Sequence, residues 1–186
     1  MLDNSIPRIP LDYRKPAEQL VLEIINIENG IELTTKDISI DKPISTPTAL
    51  RNTKVALIAK PGSKLKGTVL ISYNRVAMSH IAKDKSTEFP ITNETKISDL
   101  IPAIDSRYNT RLQPVDYIDG PLPNINALSN NSGSIDLVAG PDSLVFIDKL
   151  SLSIHRTGIM LNQVLSNFML NGLTYSKPVN DCGLTC

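Results

Sequence analysis

The sequence predicts an α+β fold in which a helix–loop–antiparallel β-hairpin module occurs twice, followed by a C-terminal helix and an extended tail. Two matches inside the 186-residue chain indicate this internal duplication. Residues 21–37 align without gaps on residues 100–116, and residues 55–63 align on residues 135–143 with an identical Leu, Ala, Pro and Ser. Internal repeats determine the architecture of a chain. The expected divisions are an N-terminal extension (1–15), a first module (16–78), a linker (79–95), a second module (96–157) and a C-terminal helix with its tail (158–186).

Each module is predicted to begin with a short helix. In the second copy, residues 99–108 carry apolar side chains at helical spacing, and Pro102 falls in the expected first turn. The isoleucine-rich run 20–29 in the first copy would also suit a strand, and its match to the second copy favours a helix. Gly30 and Asn109 follow the two runs, and both residue types tolerate the left-handed conformation that ends many helices.

Two strands are predicted after the helix of each module. In the first module, residues 55–59 and 68–73 flank a loop that contains Pro-Gly. In the second module, residues 135–139 and 150–154 flank a loop that contains Gly-Pro. Both loops are longer than a two-residue turn. The last strand alternates apolar and polar residues, so we expect one buried face and one solvated face.

The segments outside the repeat are predicted from their composition. Residues 82–95 are polar and indicate a linker between the modules. Residues 159–170 carry the apolar stripe of an amphipathic helix, which the following Asn-Gly pair would end. Residues 5–15 and the tail 176–186 contain prolines and no apolar period. Such segments stay loose unless something holds them, so we expect contacts with other subunits rather than with their own core.

Composition excludes several classes of function. The 19 basic residues balance the 19 acidic residues, so no basic surface predicts binding to nucleic acid. Aromatic residues are scarce, which disfavours stacking surfaces for bases or sugars. No apolar run reaches the roughly 20 residues of a membrane span. The N-terminus lacks the basic start and apolar core of a signal peptide, so we expect a soluble protein made in a cytoplasm.

Cys182 and Cys186 are the only cysteines, and three states remain open for them. They can be two free thiols, as is usual for a protein made in a cytoplasm. They can form a disulfide, within the chain or between subunits, after release into an oxidising medium. A zinc site would need His80 and His155 to complete four ligands, and neither histidine lies at zinc-finger spacing from the cysteines.

No motif predicts catalysis or a cofactor. The chain contains no nucleophile elbow, glycine-rich phosphate loop or metalloprotease motif, so we predict no catalytic, cofactor-binding or metal-binding residues. His155 aligns with Asn74, an exchange that a catalytic histidine is not expected to tolerate. Asp37 and Asp116 match in the two copies and could act as paired carboxylates. Their position directly after a turn favours capping of the local backbone instead.

Arg75 and Arg156 recur at the ends of equivalent strands once a single gap is allowed. Each arginine can attach its hairpin to the helix of its own module through a carboxylate. Each can also lie at a subunit contact, where arginine is favoured. The sequence leaves both alternatives open, and both make these residues structural or interface arginines.

One stretch of the first module resembles a known family. Residues 55–76 contain an Ala-Lys-Pro-Gly-Ser core and end in Gly-Thr-Val-Leu-Ile-Ser-Tyr-Asn-Arg-Val. This segment resembles one that recurs in virion structural proteins of very large tailed bacteriophages. The helix and turn at residues 97–120 resemble the same proteins, so the resemblance covers about two thirds of the chain. It implies a component of the tail, baseplate or neck, and it implies no catalytic residues.

The function expected from these observations is structural. We expect a virion protein that contacts other virion structural proteins, in multiple copies, and that binds neither nucleic acid nor membrane. A module at the tail tip that binds the host surface is the alternative. A small redox or hydrolytic enzyme is the third possibility. Binding of the isolated protein to host cells would favour the second function, and loss of an activity in Cys182→Ser would favour the third.

Overall fold

The computed structural model describes residues 11–46, 50–125 and 131–156. These residues belong to one compact unit that spans residues 1–156. The predicted C-terminal helix and tail, including Cys182 and Cys186, lie outside the described residues. The described part is an α+β structure with two α-helices and three sheets, which confirms the predicted class.

Both predicted helices are present, and both end as expected. Helix α1 spans Ala17–Asn29 and helix α2 spans Ile97–Tyr108. Gly30 and Asn109 follow them in the left-handed conformation, with φ of 61° and 59°. The N–H group of each capping residue donates to a carbonyl of the last helical turn. Both helices begin before the predicted starts, so Pro102 lies inside α2 rather than in its first turn.

Within the described ranges nine strands form the sheets, and the two predicted hairpins are among them. The first sheet has four strands, and its strand β3 pairs antiparallel with β1, β2 and β4. In the second sheet β9 lies between β7, which is antiparallel, and β6, which is parallel. Strands β5 and β8 form a short parallel pair between the halves. The strands are β1 (Ile38–Ile40), β2 (Ile44–Ser45), β3 (Thr53–Ala59), β4 (Thr68–Tyr73), β5 (Val76–Ala77), β6 (Glu88–Ile91), β7 (Ser132–Val138), β8 (Phe146–Ile147) and β9 (Lys149–Arg156).

The segment predicted to be a linker is part of the folded core. A 3₁₀ helix, Met78–Ala82, and strand β6 occupy it. Phe89 and Ile91 of β6 are fully buried, while the alternate residues Glu88 and Pro90 are exposed. A strand of four residues gives too short an alternation to stand out in a polar segment, which is why the sequence indicated a linker.

The two halves share their apolar cores. The larger cluster surrounds α2 and the second sheet and contains Ile104 and Leu137. The smaller cluster joins α1 to the first sheet through residues such as Val55. Leu20 of α1 packs in the larger cluster, and Leu144 of the second half packs in the smaller one. The halves therefore stabilise each other instead of forming separate lobes.

The N-terminal extension contacts its own core at Tyr13. The Tyr13 ring lies 5.5 Å from the ring of Phe146, measured between centroids. The N–H group of Arg111 donates to the Tyr13 carbonyl at 2.9 Å. The expectation that this extension stays off its own core is therefore wrong at Tyr13, because burying an aromatic side chain against apolar residues is favourable.

Candidate functional site

Arg75 is the centre of a buried polar network between the two halves. Arg75 is only 7 % exposed to solvent. The Nε group donates to Thr53 Oγ1 at 2.9 Å, and Nη2 donates to Ser45 Oγ at 2.7 Å. The Nη1 group crosses to the second half and donates to the Ser143 carbonyl at 2.9 Å. Two hydroxyls and a carbonyl therefore hold this guanidinium, and the alternative of a helix carboxylate is wrong for Arg75.

The network continues from Ser143 to Asp116. Ser143 Oγ donates to Asp116 Oδ1 at 2.7 Å and accepts the N–H group of Phe146 at 3.1 Å. Asp116 Oδ2 accepts the N–H group of Gln113 at 2.9 Å. Burial raises the pKa of the Asp116 carboxyl, and the hydrogen bonds from Gln113 and Ser143 oppose that rise. This buried hydroxyl–carboxylate pair joins the turn at residues 113–116 to the loop that carries Ser143. The Ser143 carbonyl, which accepts from Arg75, extends the network to the first half.

Asp37 occupies the matching position in the first half with a different environment. Its Oδ2 accepts the N–H group of Thr34 at 3.0 Å, as Asp116 accepts that of Gln113. Both aspartates therefore cap the turn, as the sequence predicted. Asp37 is partly exposed, and hydrogen bonds from Thr34 lower its pKa. The two carboxyls thus share a local role and differ in the direction of their pKa shifts because only Asp116 is buried.

Arg156 is placed differently from Arg75. It ends β9, is half-buried, and donates from Nη1 to the Thr92 carbonyl at 2.9 Å. This contact joins the end of β9 to the segment after β6. His155 beside it is half-buried, and His80 is exposed. Within the described ranges no three His, Cys, Asp or Glu residues lie close enough to hold a metal ion.

Two surface clefts adjoin the network. One, of about 420 Å³, is lined by Arg75 together with residues such as Asn52, Phe146 and Asp148. Burial lowers the pKa of Arg75, and the charge of Asp148 opposes this shift. The other cleft, of about 630 Å³, has a larger apolar lining that includes Val115.

The outer face of the first sheet carries exposed apolar residues beside polar ones, since Lys54, Thr68 and Ser72 also lie on this side. On β3 and β4, Ala56, Ile58 and Leu70 point away from the face that packs on α1, and Ile44 of β2 joins them. Leu70 is 68 % exposed, Ile44 is 62 % exposed and Ile58 is 39 % exposed. We call these four residues the outer apolar face. Adjoining exposed apolar residues of this kind are typical of surfaces that bind other proteins.

The matching face of the second sheet is polar. The pair Ala56–Leu70 corresponds to Asp136–Ser151 in the aligned strands. Ser151 Oγ donates to Asp136 Oδ1 at 2.7 Å, and Lys149 Nζ lies 2.7 Å from Asp136 Oδ2. Side chains on this face therefore form hydrogen bonds and ion pairs with one another, as is typical of a solvent-exposed surface.

The edges of the two sheets also differ. Strand β9 has neighbours on both sides, because β6 covers its outer edge. Strand β4 holds the matching position in the first sheet and, in the described part of the chain, pairs only with β3. An open strand edge exposes N–H and carbonyl groups that another strand can bind.

Sequence reasoning identified Arg75 and Asp116 and missed the residues that connect them. Ser143 belongs to the shared Ala-x-Pro-x-Ser pattern, and that identity was the available signal. The corresponding Ser63 makes only local contacts near the surface, so the pattern alone does not reveal the burial of Ser143. Whether Cys182 and Cys186 lie near any of these features is outside the described residues.

The comparisons with known proteins give one match. A family model described as a family of unknown function (DUF7941) matches residues 10–182. No curated protein and no solved structure matches the chain. Across the described ranges no helix is long and apolar enough to cross a membrane. Since the family match spans nearly the whole chain, the protein belongs to this family of unknown function, DUF7941.

Proposed function

We propose that this chain is a structural component of a bacteriophage virion, in the tail, baseplate or neck, and that it acts through contacts with other virion subunits. The observation that carries the proposal is the outer apolar face, which is exposed beside the open edge of β4. The resemblance of residues 55–76 to virion proteins covers the same two strands. A surface of this kind gains free energy when a partner covers it.

The proposal includes the internal duplication of a helix–loop–hairpin module. Three matched features support it. Both helices end in a left-handed residue, and both following turns are capped by an aspartate. The turn then pairs with the end of the next strand in both halves, as Ile38–Ala59 and as Tyr117–Ala139.

A duplication makes the differences between the halves informative. Two copies of one module begin with the same surface, so a position that is apolar in one copy and polar in the other, as Leu70 and Ser151 are, reflects different surroundings. A partner would cover the outer apolar face, whereas the polar face of the second sheet, which contains Asp136, would be exposed to solvent. We therefore expect the first half, and not the second, to bind neighbouring subunits.

Matched lysine substitutions test this expectation. Leu70→Lys places a charge on the outer apolar face, and Ser151→Lys places the same charge at the corresponding position of the second sheet. Both positions are exposed, so neither change should alter the free energy of unfolding by more than about 0.5 kcal/mol. Loss of one buried leucine contact weakens association by about 2 kcal/mol, or roughly 30-fold.

The association is measured by sedimentation of the purified protein, alone and with a lysate of the phage that encodes it. Leu70→Lys should reduce the bound fraction, while Ser151→Lys should match the unchanged protein. Mass spectrometry of purified particles should detect the chain. A chain that is found only in the particle-free fraction, and that stays monomeric with the lysate, would refute the virion function.

The two cysteines remain a separate prediction for the particle. Cys182 and Cys186 should be dispensable for folding and can join neighbouring subunits. Non-reducing electrophoresis of intact particles should then show oligomers that disappear on reduction and in Cys→Ser variants. Monomer bands throughout, with an unaltered melting temperature of the particle, would leave these thiols without this role.

A further inference from the structure

We infer that the open edge of β4 binds residues 8–11 from a second copy of this chain, as a parallel strand. The inference rests on the proposed assembly function, because it names the partner of the surface beside the outer apolar face. Its own basis is the comparison of β4 with β9, the strand that holds the matching place in the second sheet.

The second half shows which kind of segment covers such an edge. Strand β6 runs parallel to β9, with Glu88 beside Ser153 and Ile91 beside Arg156. The N–H group of Ser153 donates to the Thr87 carbonyl at 3.0 Å at the start of this pairing. Phe89 and Ile91 point into the core from β6. Proline at the position between them is tolerated because β6 is an edge strand.

The N-terminal sequence contains the same pattern at the same distance from a helix. Glu-Phe-Pro-Ile at residues 88–91 corresponds to Arg-Ile-Pro-Leu at residues 8–11, at a constant offset of 80 positions. Pro90 lies six residues before the N-cap of α2, and Pro10 lies six residues before the N-cap of α1. Each proline is flanked by large apolar residues. Residues 8–11 therefore share with β6 both this residue pattern and its distance from the following helix.

The register follows from the matched strands. Ser153 and Arg156 correspond to Ser72 and Arg75. Residues 8–11 would therefore lie beside residues 72–75, which are the last two residues of β4 and the two that follow it. Ile9 would lie beside Tyr73, as Phe89 lies beside Ile154.

The chain's own Leu11 does not take this place. Its counterpart Ile91 is fully buried and pairs with Arg156. Leu11 is only half-buried, belongs to no strand and has no ladder partner within the described ranges. Tyr13, two residues further along the chain, packs on Phe146. Exchange of an identical segment between copies is a common route to oligomers.

Disulfide trapping tests the pairing. Neighbouring strands lie about 4.8 Å apart, which is within the Cα separation that a disulfide spans. One tagged chain carries Arg8→Cys and a second carries Ser72→Cys, both in a background with Cys182→Ser and Cys186→Ser. After mixing and oxidation with glutathione disulfide, non-reducing electrophoresis should show a heterodimer that contains both tags.

The control uses the edge that β6 already covers. Ser153→Cys replaces Ser72→Cys in the second chain, and the yield of heterodimer should fall at least tenfold. Heterodimer formation equal to this control would overturn the inference. A single chain with both Arg8→Cys and Ser72→Cys that closes its own disulfide and stays monomeric would also overturn it, because the partner would then be the same chain.

A deletion separates this inference from the proposed function. Removal of residues 1–10 should abolish self-association measured by sedimentation, while the far-ultraviolet circular dichroism stays unchanged. Particles that contain the chain, together with absent cross-linking, would sustain the virion function and refute this pairing. Cross-linking together with absence of the chain from the particles would support this pairing and refute the virion function.

Discussion

Replacement of Arg75 by alanine tests whether the buried network holds the two halves together. The substitution removes hydrogen bonds to Ser45, Thr53 and Ser143. It also removes the donor to the Ser143 carbonyl, and Ser143 is fully buried. Hydrogen bonds to charged groups contribute about 1.5–3 kcal/mol each, and an unsatisfied buried group costs about 1–3 kcal/mol.

Two effects reduce the expected loss. Burial of the guanidinium is itself unfavourable, as the lowered pKa of Arg75 indicates, and its removal relieves that cost. Water can enter from the adjoining cleft and bind some of the released groups. We therefore expect Arg75→Ala to lower the free energy of unfolding by about 3 kcal/mol, a large share of the stability of an ordinary domain.

The matched control is Arg156→Ala at the end of the equivalent strand. Arg156 is more exposed, and its Nη1 group donates to the Thr92 carbonyl after β6, so the expected loss is about 1 kcal/mol. Urea titrations followed by circular dichroism measure both values, with the slope of the transition as a check on two-state behaviour. Equal losses, or a loss below about 1 kcal/mol for Arg75→Ala, would refute the structural role of the network.

Two further predictions concern the turn that carries Asp116. A methyl group added at Gly140 would lie 2.1 Å from a main-chain carbonyl oxygen, so Gly140→Ala should lower the free energy of unfolding by about 2 kcal/mol in urea titrations. Gly120→Ala meets open space and should stay within about 0.5 kcal/mol, and equal effects would contradict the close approach. Burial raises the pKa of Asp116, so the stability that this group contributes is present below its unfolded pKa and is lost as pH rises through its folded pKa. The free energy of unfolding of the unchanged protein, measured relative to Asp116→Asn, should therefore fall from acid towards neutral pH. Measured relative to Asp37→Asn it should rise, because the pKa of Asp37 is lowered. Parallel trends would show that burial does not separate the two carboxyls.

The local elements were predictable from the sequence because their signals are local. The two helices end where Gly30 and Asn109 stand, since few residue types adopt the left-handed conformation that follows a helix. The strands of both hairpins follow runs of β-branched and alternating residues, and their observed bounds differ from the predicted ones by a few residues at most. The capping role of Asp37 and Asp116 also depends on the residue three positions earlier.

The missed elements depend on partners that are distant in the chain. Strand β6 is a strand because β9 offers it an edge, and its polar surroundings resemble a linker. Strand β8 exists only as the parallel partner of β5, about seventy residues away. A segment of two or four residues has little preference of its own, so tertiary contacts decide its conformation.

The sequence by itself determined where the helices and hairpins lie and which turns are capped. Only the tertiary structure decided what the matched residues contact. Arg75 and Arg156 occupy equivalent strand ends, yet one is buried against Ser143, 68 residues away, and the other is half-exposed. Local patterns specify backbone conformation within a few residues, whereas burial, and with it the charge environment of Asp116, depends on which distant surfaces pack together.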